Sequence, residues 1–86
     1  MFDASFLIHD DRGVEVVNTD IQFDTADGLA TFIAGQNTAP GWVVSIKGEY
    51  VASEQLIPVT FGLIKVLGPY FTIAQSGLVI TLTRKK

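Results

Sequence analysis

Residues 53 to 69 read SEQLIPVTFGLIKVLGP, and their conformation decides the fold. Coiled, they give the domain a second helix; extended, they give its sheet another strand. Pro58 near one end and Gly68-Pro69 at the other are helix punctuation, and Val59, Leu63, Val66 and Leu67 fall on one helical stripe. Against this, Gly62 is interior and the segment is rich in β-branched residues, which suits a strand. The punctuation tips the reading toward a short second helix, with a strand as the alternative.

The neighbouring segments are plainer. On the C-terminal side, PYFTIAQSGLVITLT (69–83) holds two β-rich runs around Gln75-Ser76-Gly77, hence a hairpin, and Arg84-Lys85-Lys86 follows as a flexible basic tail. On the N-terminal side, WVVSIKGEYV (42–51) alternates Trp42, Val44 and Ile46 with Val43, Ser45 and Lys47, the pattern of a strand. It is reached through QNTAPG (36–41), which is turn chemistry throughout. Before that, FDTADGLATFIAGQN (23–37) carries helix signals: Asp24 or Thr25 as N-cap, Asp27 in the first turn, Gly35 at the close, and Leu29, Phe32 and Ile33 as an apolar stripe.

The first 23 residues predict an antiparallel hairpin. Phe2, Ala4, Phe6 and Ile8 share one strand face, and the alternation resumes at Val14 and Val16 before shifting by one to Thr19, Ile21 and Phe23. A bulge near Val17-Asn18 absorbs that shift, and Gly13 supplies the φ > 0 position of the turn. The expectation for the chain is therefore one α+β domain, residues 1–86. It is an antiparallel sheet of about four or five strands packed with one or two short helices, in the order β-β-α-β-(α or β)-β-β.

Composition narrows what such a domain can do. Its 86 residues allow one core. Apolar residues make up 48% and charged ones 17%, well under the usual quarter, so a monomer this small leaves much apolar surface in water and homo-oligomerisation or a partner would cover it. The absence of cysteine excludes disulfides, thiolate nucleophiles and Cys-based metal sites, and is compatible with a cytoplasmic setting. MFDASF has no basic leader region, and the longest apolar stretch, 56–67, falls short of the roughly 18 residues a span requires, so no membrane association is expected.

Charge is unevenly placed. Residues 1–27 carry Asp3, Asp10, Asp11, Glu15, Asp20, Asp24 and Asp27 against Arg12 alone, a balance of −6, whereas residues 28–86 balance at +3. This acidic third argues against a nucleic-acid partner. No Walker or G-x-G-x-x-G pattern offers a phosphate cradle.

The densest charge cluster, His9-Asp10-Asp11-Arg12, has the ligand types of a metal site, but consecutive strand residues point to opposite faces and there is no other histidine. Asp20, Asp24 and Asp27 do not match the spacing of a calcium loop. Pairs such as Asp20 with Asp24, or Glu49 with Glu54, would need a buried cleft to act as acid and base, and only His9 could serve a hydroxyl nucleophile. No catalytic residue, metal or cofactor is expected.

The reading that remains is binding. The sequence suggests a non-enzymatic protein that occupies a surface of a larger protein or complex, with Asp10, Asp11, Arg12, Glu15 and Asp20 as the contact set. Small, acidic, cysteine-free domains of this kind are what phages encode as host-directed or anti-defence inhibitors, acting in the host cytoplasm; the likeness is one of construction only. One alternative is a homo-oligomer that sequesters a nucleotide-like ligand at subunit interfaces, using Trp42, Tyr50, Tyr70 or Phe71 to stack and Lys47 or Lys65 to hold an anion. The other is a structural subunit of a virion or other assembly.

Overall fold

The computed structural model describes residues 2–48 and 53–85. In chain order the elements are β1 (Phe2–His9), β2 (Glu15–Phe23), α1 (Ala26–Ala34), β3 (Val43–Gly48), α2 (Ser53–Leu67), β4 (Phe71–Ser76) and β5 (Val79–Arg84). The five strands form one sheet in the order β2-β1-β3-β5-β4, and every neighbouring pair is antiparallel. The expected α+β domain is what forms, with five strands and two helices among the described residues.

The sheet has one buried and one open face, and strand alternation sorts the residues between them. Ala4, Phe6 and Ile8 of β1, Val44 and Ile46 of β3, Ile80 and Leu82 of β5 and Phe71 of β4 are all buried under the helices. Leu29, Ala30 and Ile33 of α1 and Leu56, Val59, Leu63 and Leu67 of α2 close that core from above. Asp3, Ser5, Leu7 and His9 line the opposite, helix-free face together with their cross-strand partners Gln22, Asp20, Asn18 and Glu15.

The segment 53–67 is helical because the sheet needs a cover. As a helix it places Leu56, Val59, Leu63 and Leu67 over β4 and β5, each side chain contributing about 1.5–3 kcal/mol through burial. As a strand it would extend the sheet and leave Ile80, Leu82 and Phe71 facing water. Two details differ from expectation. Pro58 is not a start signal but lies inside the helix, on its exposed side, where its missing N–H leaves the Glu54 carbonyl without the usual donor. Val66, assigned to the stripe, is 43% exposed, and Leu56 takes its place in the core.

Glycine at 62 positions the two helices. A β-carbon there would collide with Cβ of Ala26, so α1 and α2 touch almost backbone to backbone. α1 itself begins as its sequence suggests. The Thr25 hydroxyl accepts from the Gly28 N–H at 3.1 Å, Asp27 sits in the first turn, and Gly35 is the C-cap. Phe32 of its stripe is 40% exposed, yet its ring meets Phe6 edge-on at 5.0 Å.

Register follows the turns. Ile8 pairs with Val17 and His9 with Glu15, so the bulge falls at Val16, one residue before the expected place. β4 and β5 are joined by Gly77-Leu78 with Gly77 at φ +58°, the two-residue hairpin connection with glycine first. Arg84, read from the sequence as the start of the tail, is the last residue of β5: it pairs with Phe71, its N–H donates to the Trp42 carbonyl at 2.8 Å, and its own carbonyl accepts from Gly41 at 3.0 Å. Among the described residues no helix is long and apolar enough to cross a membrane.

Candidate functional site

The β1–β2 hairpin tip is organised around one carboxylate. Asp10 Oδ1 accepts the backbone N–H of Arg12 at 2.8 Å and of Val14 at 2.9 Å, while the Asp10 N–H donates to the Val14 carbonyl at 2.9 Å. Gly13, at φ +83°, completes the turn by donating its N–H to the Asp10 carbonyl at 3.1 Å. Foremost the Val14 N–H, then the Arg12 N–H and the charge of Arg12, hold the Asp10 carboxyl below the ordinary aspartate value, against a desolvation that pulls the other way. The turn is thus an aspartate-centred structure whose acid is committed to backbone.

The other residues of the cluster are displayed by that turn. Asp11, Arg12 and Glu15 are exposed, and so is Asp20 further along β2. Glu15 and Asp20 share the helix-free face because the bulge at Val16 restores the alternation between them. Asp3 lies on the same face, where its Oδ1 accepts from Gln22 Nε2 at 2.6 Å and ties β1 to β2. Asp11 leans on the loop before β3, since a β-carbon on Gly41, whose φ is +89°, would stand 3.2 Å from Asp11 Cβ. The result is a braced hairpin arm whose outer strand is an edge of the sheet and whose exposed charges are predominantly negative.

The contact set named from the sequence therefore divides. Asp11, Arg12, Glu15 and Asp20 are surface groups, whereas Asp10 shapes the turn that carries Asp11 and Arg12, and Asp20 is placed by its pairing with Ser5. His9 stands opposite Glu15 on one side and Val43 on the other, and among the described residues no three histidine, cysteine, aspartate or glutamate side chains gather where they could hold a metal.

The proposed stacking set does not converge. Phe71 is 2% exposed and is a core residue, and half-buried Trp42 packs against the same core. Tyr70 is 57% exposed in the turn before β4, with the Arg84 guanidinium 6.0 Å from its ring centre and 5.4 Å from that of Phe71. Lys65 and Lys47 are both exposed, on α2 and on the helix-free face of β3, so they do not share a site with those rings. Tyr50, Glu49 and Lys86 lie outside the described residues.

A cleft that sequence reasoning did not find lies between β2 and α1. It has a volume of about 640 Å³ and is lined by Ile21, Phe23, Gly28, Leu29 and Phe32, with Asp24 at its rim. Its one glycine is Gly28, where a β-carbon would meet the Thr25 hydroxyl at 3.4 Å and no other atom within 4 Å. Its rim acid makes it a poor anion cradle.

Comparison with known proteins finds no family model that matches the chain, and no curated protein or solved structure that matches it either.

Proposed function

We propose that this is a non-enzymatic recognition protein that sets its acidic β1–β2 arm against a positively charged surface of a larger protein partner and acts by occupying it. The observation that carries this reading is the Asp10-centred turn. An exposed carboxylate is bonded to two backbone N–H groups at 2.8 and 2.9 Å, so the arm is pre-shaped before any partner arrives. Beside it stand Asp11 and Glu15, with Asp20 further along β2, all exposed and drawn from the third of the chain that carries a balance of −6. Predominantly negative charge on an edge strand and its turn favours fast, orientated encounter with a basic surface. Occupancy of this kind is how protein inhibitors work, and it asks for no catalytic group.

The test uses the full chain, tagged at its C-terminus, to capture partners from a lysate, in parallel with a variant carrying Asp11→Lys, Glu15→Lys and Asp20→Lys. Asp10 is left alone because reversing it would dismantle the turn. A partner that binds the native chain, is lost by the variant and is released by moderate salt supports the reading. A partner retained equally by both chains and indifferent to salt overturns it, because the arm would then not be the contact surface.

A further inference from the structure

The sheet has two edges, and they are treated differently. β2 is guarded by Glu15, Asp20 and the bulge at Val16, devices that keep an edge strand from pairing with another chain. β4, at the other edge, has the sequence FTIAQS: no charge and no proline, in unbroken register with β5 from Phe71–Arg84 to Ser76–Val79. Nothing in its own composition blocks a further strand.

The helix beside that edge is also unguarded. The Thr60 hydroxyl lies 2.9 Å from Gln75 Oε1 of β4, which fixes the side of α2 that faces the edge, and Gly62 on the opposite side faces α1. At 100° per residue, Ile57, Phe61 and Ile64 stand one step outboard of Thr60, away from α1 and beyond the edge strand. They are 45%, 67% and 42% exposed. An apolar row along a helix, beside a strand edge that no other described strand covers, is the kind of exposed surface that marks an interaction site.

We infer that the occupant is a second copy of this chain, joined across a twofold axis by β4 against β4 and by α2 against α2, both antiparallel. Two features favour a copy over a different protein. The exposed crest of α2 carries Glu54 in its first turn and Lys65 in its last. An axis crossing the helix near residue 60 sets each Glu54 beside the partner's Lys65, so the crest is complementary to itself. The acidic residues of β1 and β2 lie at the far side of the sheet from β4, so joining two β4 edges into a ten-stranded sheet keeps the two −6 regions as far apart as the fold permits. This inference is independent of the acidic arm, which stays exposed at both ends of the dimer.

Mass measured by light scattering or sedimentation at micromolar concentrations tests it. The native chain is expected at twice its monomer mass. Phe61→Glu, which places charge in the apolar row, and Ala74→Lys, which sets two like charges near the axis on β4, are each expected to give monomers with unchanged far-ultraviolet circular dichroism. Both positions are exposed, so folding does not depend on them. Val14→Lys, at a 58% exposed apolar residue on the other arm, is expected to leave the dimer intact. Glu54→Lys breaks both symmetry-related ion pairs and is expected to weaken association by about two- to thirty-fold, twice the free energy of one exposed pair, and adding Lys65→Glu to restore it. A native monomer, or a dimer that survives both Phe61→Glu and Ala74→Lys, overturns the proposal; failure of the charge swap to restore association overturns the antiparallel arrangement.

Discussion

Replacing Gly62 with alanine sets helix propensity against packing, and the structure says which wins. In an exposed helix interior the change stabilises by about 1 kcal/mol. Here the new methyl would approach Cβ of Ala26 closer than the 3.0 Å that β-carbons respect, and both atoms belong to short, stiff side chains that cannot swing aside. The helices must part, and overpacking of this kind costs about 1–3 kcal/mol. Parting them also loosens Leu63, Leu29 and Ala30, buried residues within one turn of Gly62 and Ala26 on their helices. The expected outcome is a net loss of about 1 kcal/mol, or a fall in Tm of about 4–8 °C for a domain of this size. Ala26→Gly in the same chain removes the obstructing methyl, and the nearest remaining atom, Ala26 Cα, lies 3.9 Å from the new β-carbon, an ordinary contact. The double variant should therefore be more stable than Gly62→Ala alone, with a coupling energy of about 0.5–3 kcal/mol. Urea denaturation followed by Trp42 fluorescence and circular dichroism reads all four corners of the cycle. If Gly62→Ala raises stability, or if Ala26→Gly brings no recovery, the two helices do not meet at these residues and the account of the interlayer packing is wrong.

Other expected outcomes concern the turns and the cap. Because the folded Asp10 carboxyl titrates below its ordinary value, its contribution to stability is complete above the unfolded pKa of about 3.9 and fades as pH falls through the lower folded value; Asp10→Asn should remove that component, seen as a flatter stability profile in acid. In the same variant the Arg12 and Val14 amides should exchange with solvent faster, as measured by NMR. Thr25→Ala should destabilise by about 1 kcal/mol and Thr25→Gly by only a few tenths, measured by thermal denaturation, since the hydroxyl accepts from the Gly28 N–H. Gly13→Ala meets no atom within 4 Å, so its cost is backbone strain alone, about 1–2 kcal/mol, and Gly13→Asn should be milder in the same assay.

Strand positions were legible because alternation is a local signal. Phe2, Ala4, Phe6 and Ile8, or Trp42, Val44 and Ile46, announce a one-sided strand whatever lies across from them, and Thr25, Asp27 and Gly35 announce a helix from its ends. The bulge was placed one residue late because the sequence shows only that alternation slips between Val16 and Thr19. Where the slip occurs is set by which residue of β1 faces which of β2, and Ile8 takes Val17 as its partner. Phe71 and Tyr70 looked equivalent as adjacent aromatics, but Tyr70 lies in the turn before β4, while the pairing of Phe71 with Arg84 sends Phe71 into the core.

The site was legible as a charge cluster and illegible in its internal division of labour. Asp10 and Asp11 are the same residue type side by side, and only the backbone geometry of the turn distinguishes the acid that builds the arm from the acid it displays. The cleft beside Gly28 and the apolar row of Ile57, Phe61 and Ile64 depend on what does not pack against them, which a linear pattern cannot record.

What the sequence determined by itself was the set of elements and the concentration of acid in the first third, because periodicity, capping and charge balance act between residues a few positions apart. What only the tertiary structure decided was the conformation of residues 53 to 69, whose punctuation and β-branched content pull in opposite directions. The contest is settled by distant partners: the apolar face of β4 and β5 has to be covered, and a helix with Gly62 against Ala26 covers it while leaving Ile57, Phe61 and Ile64 outside.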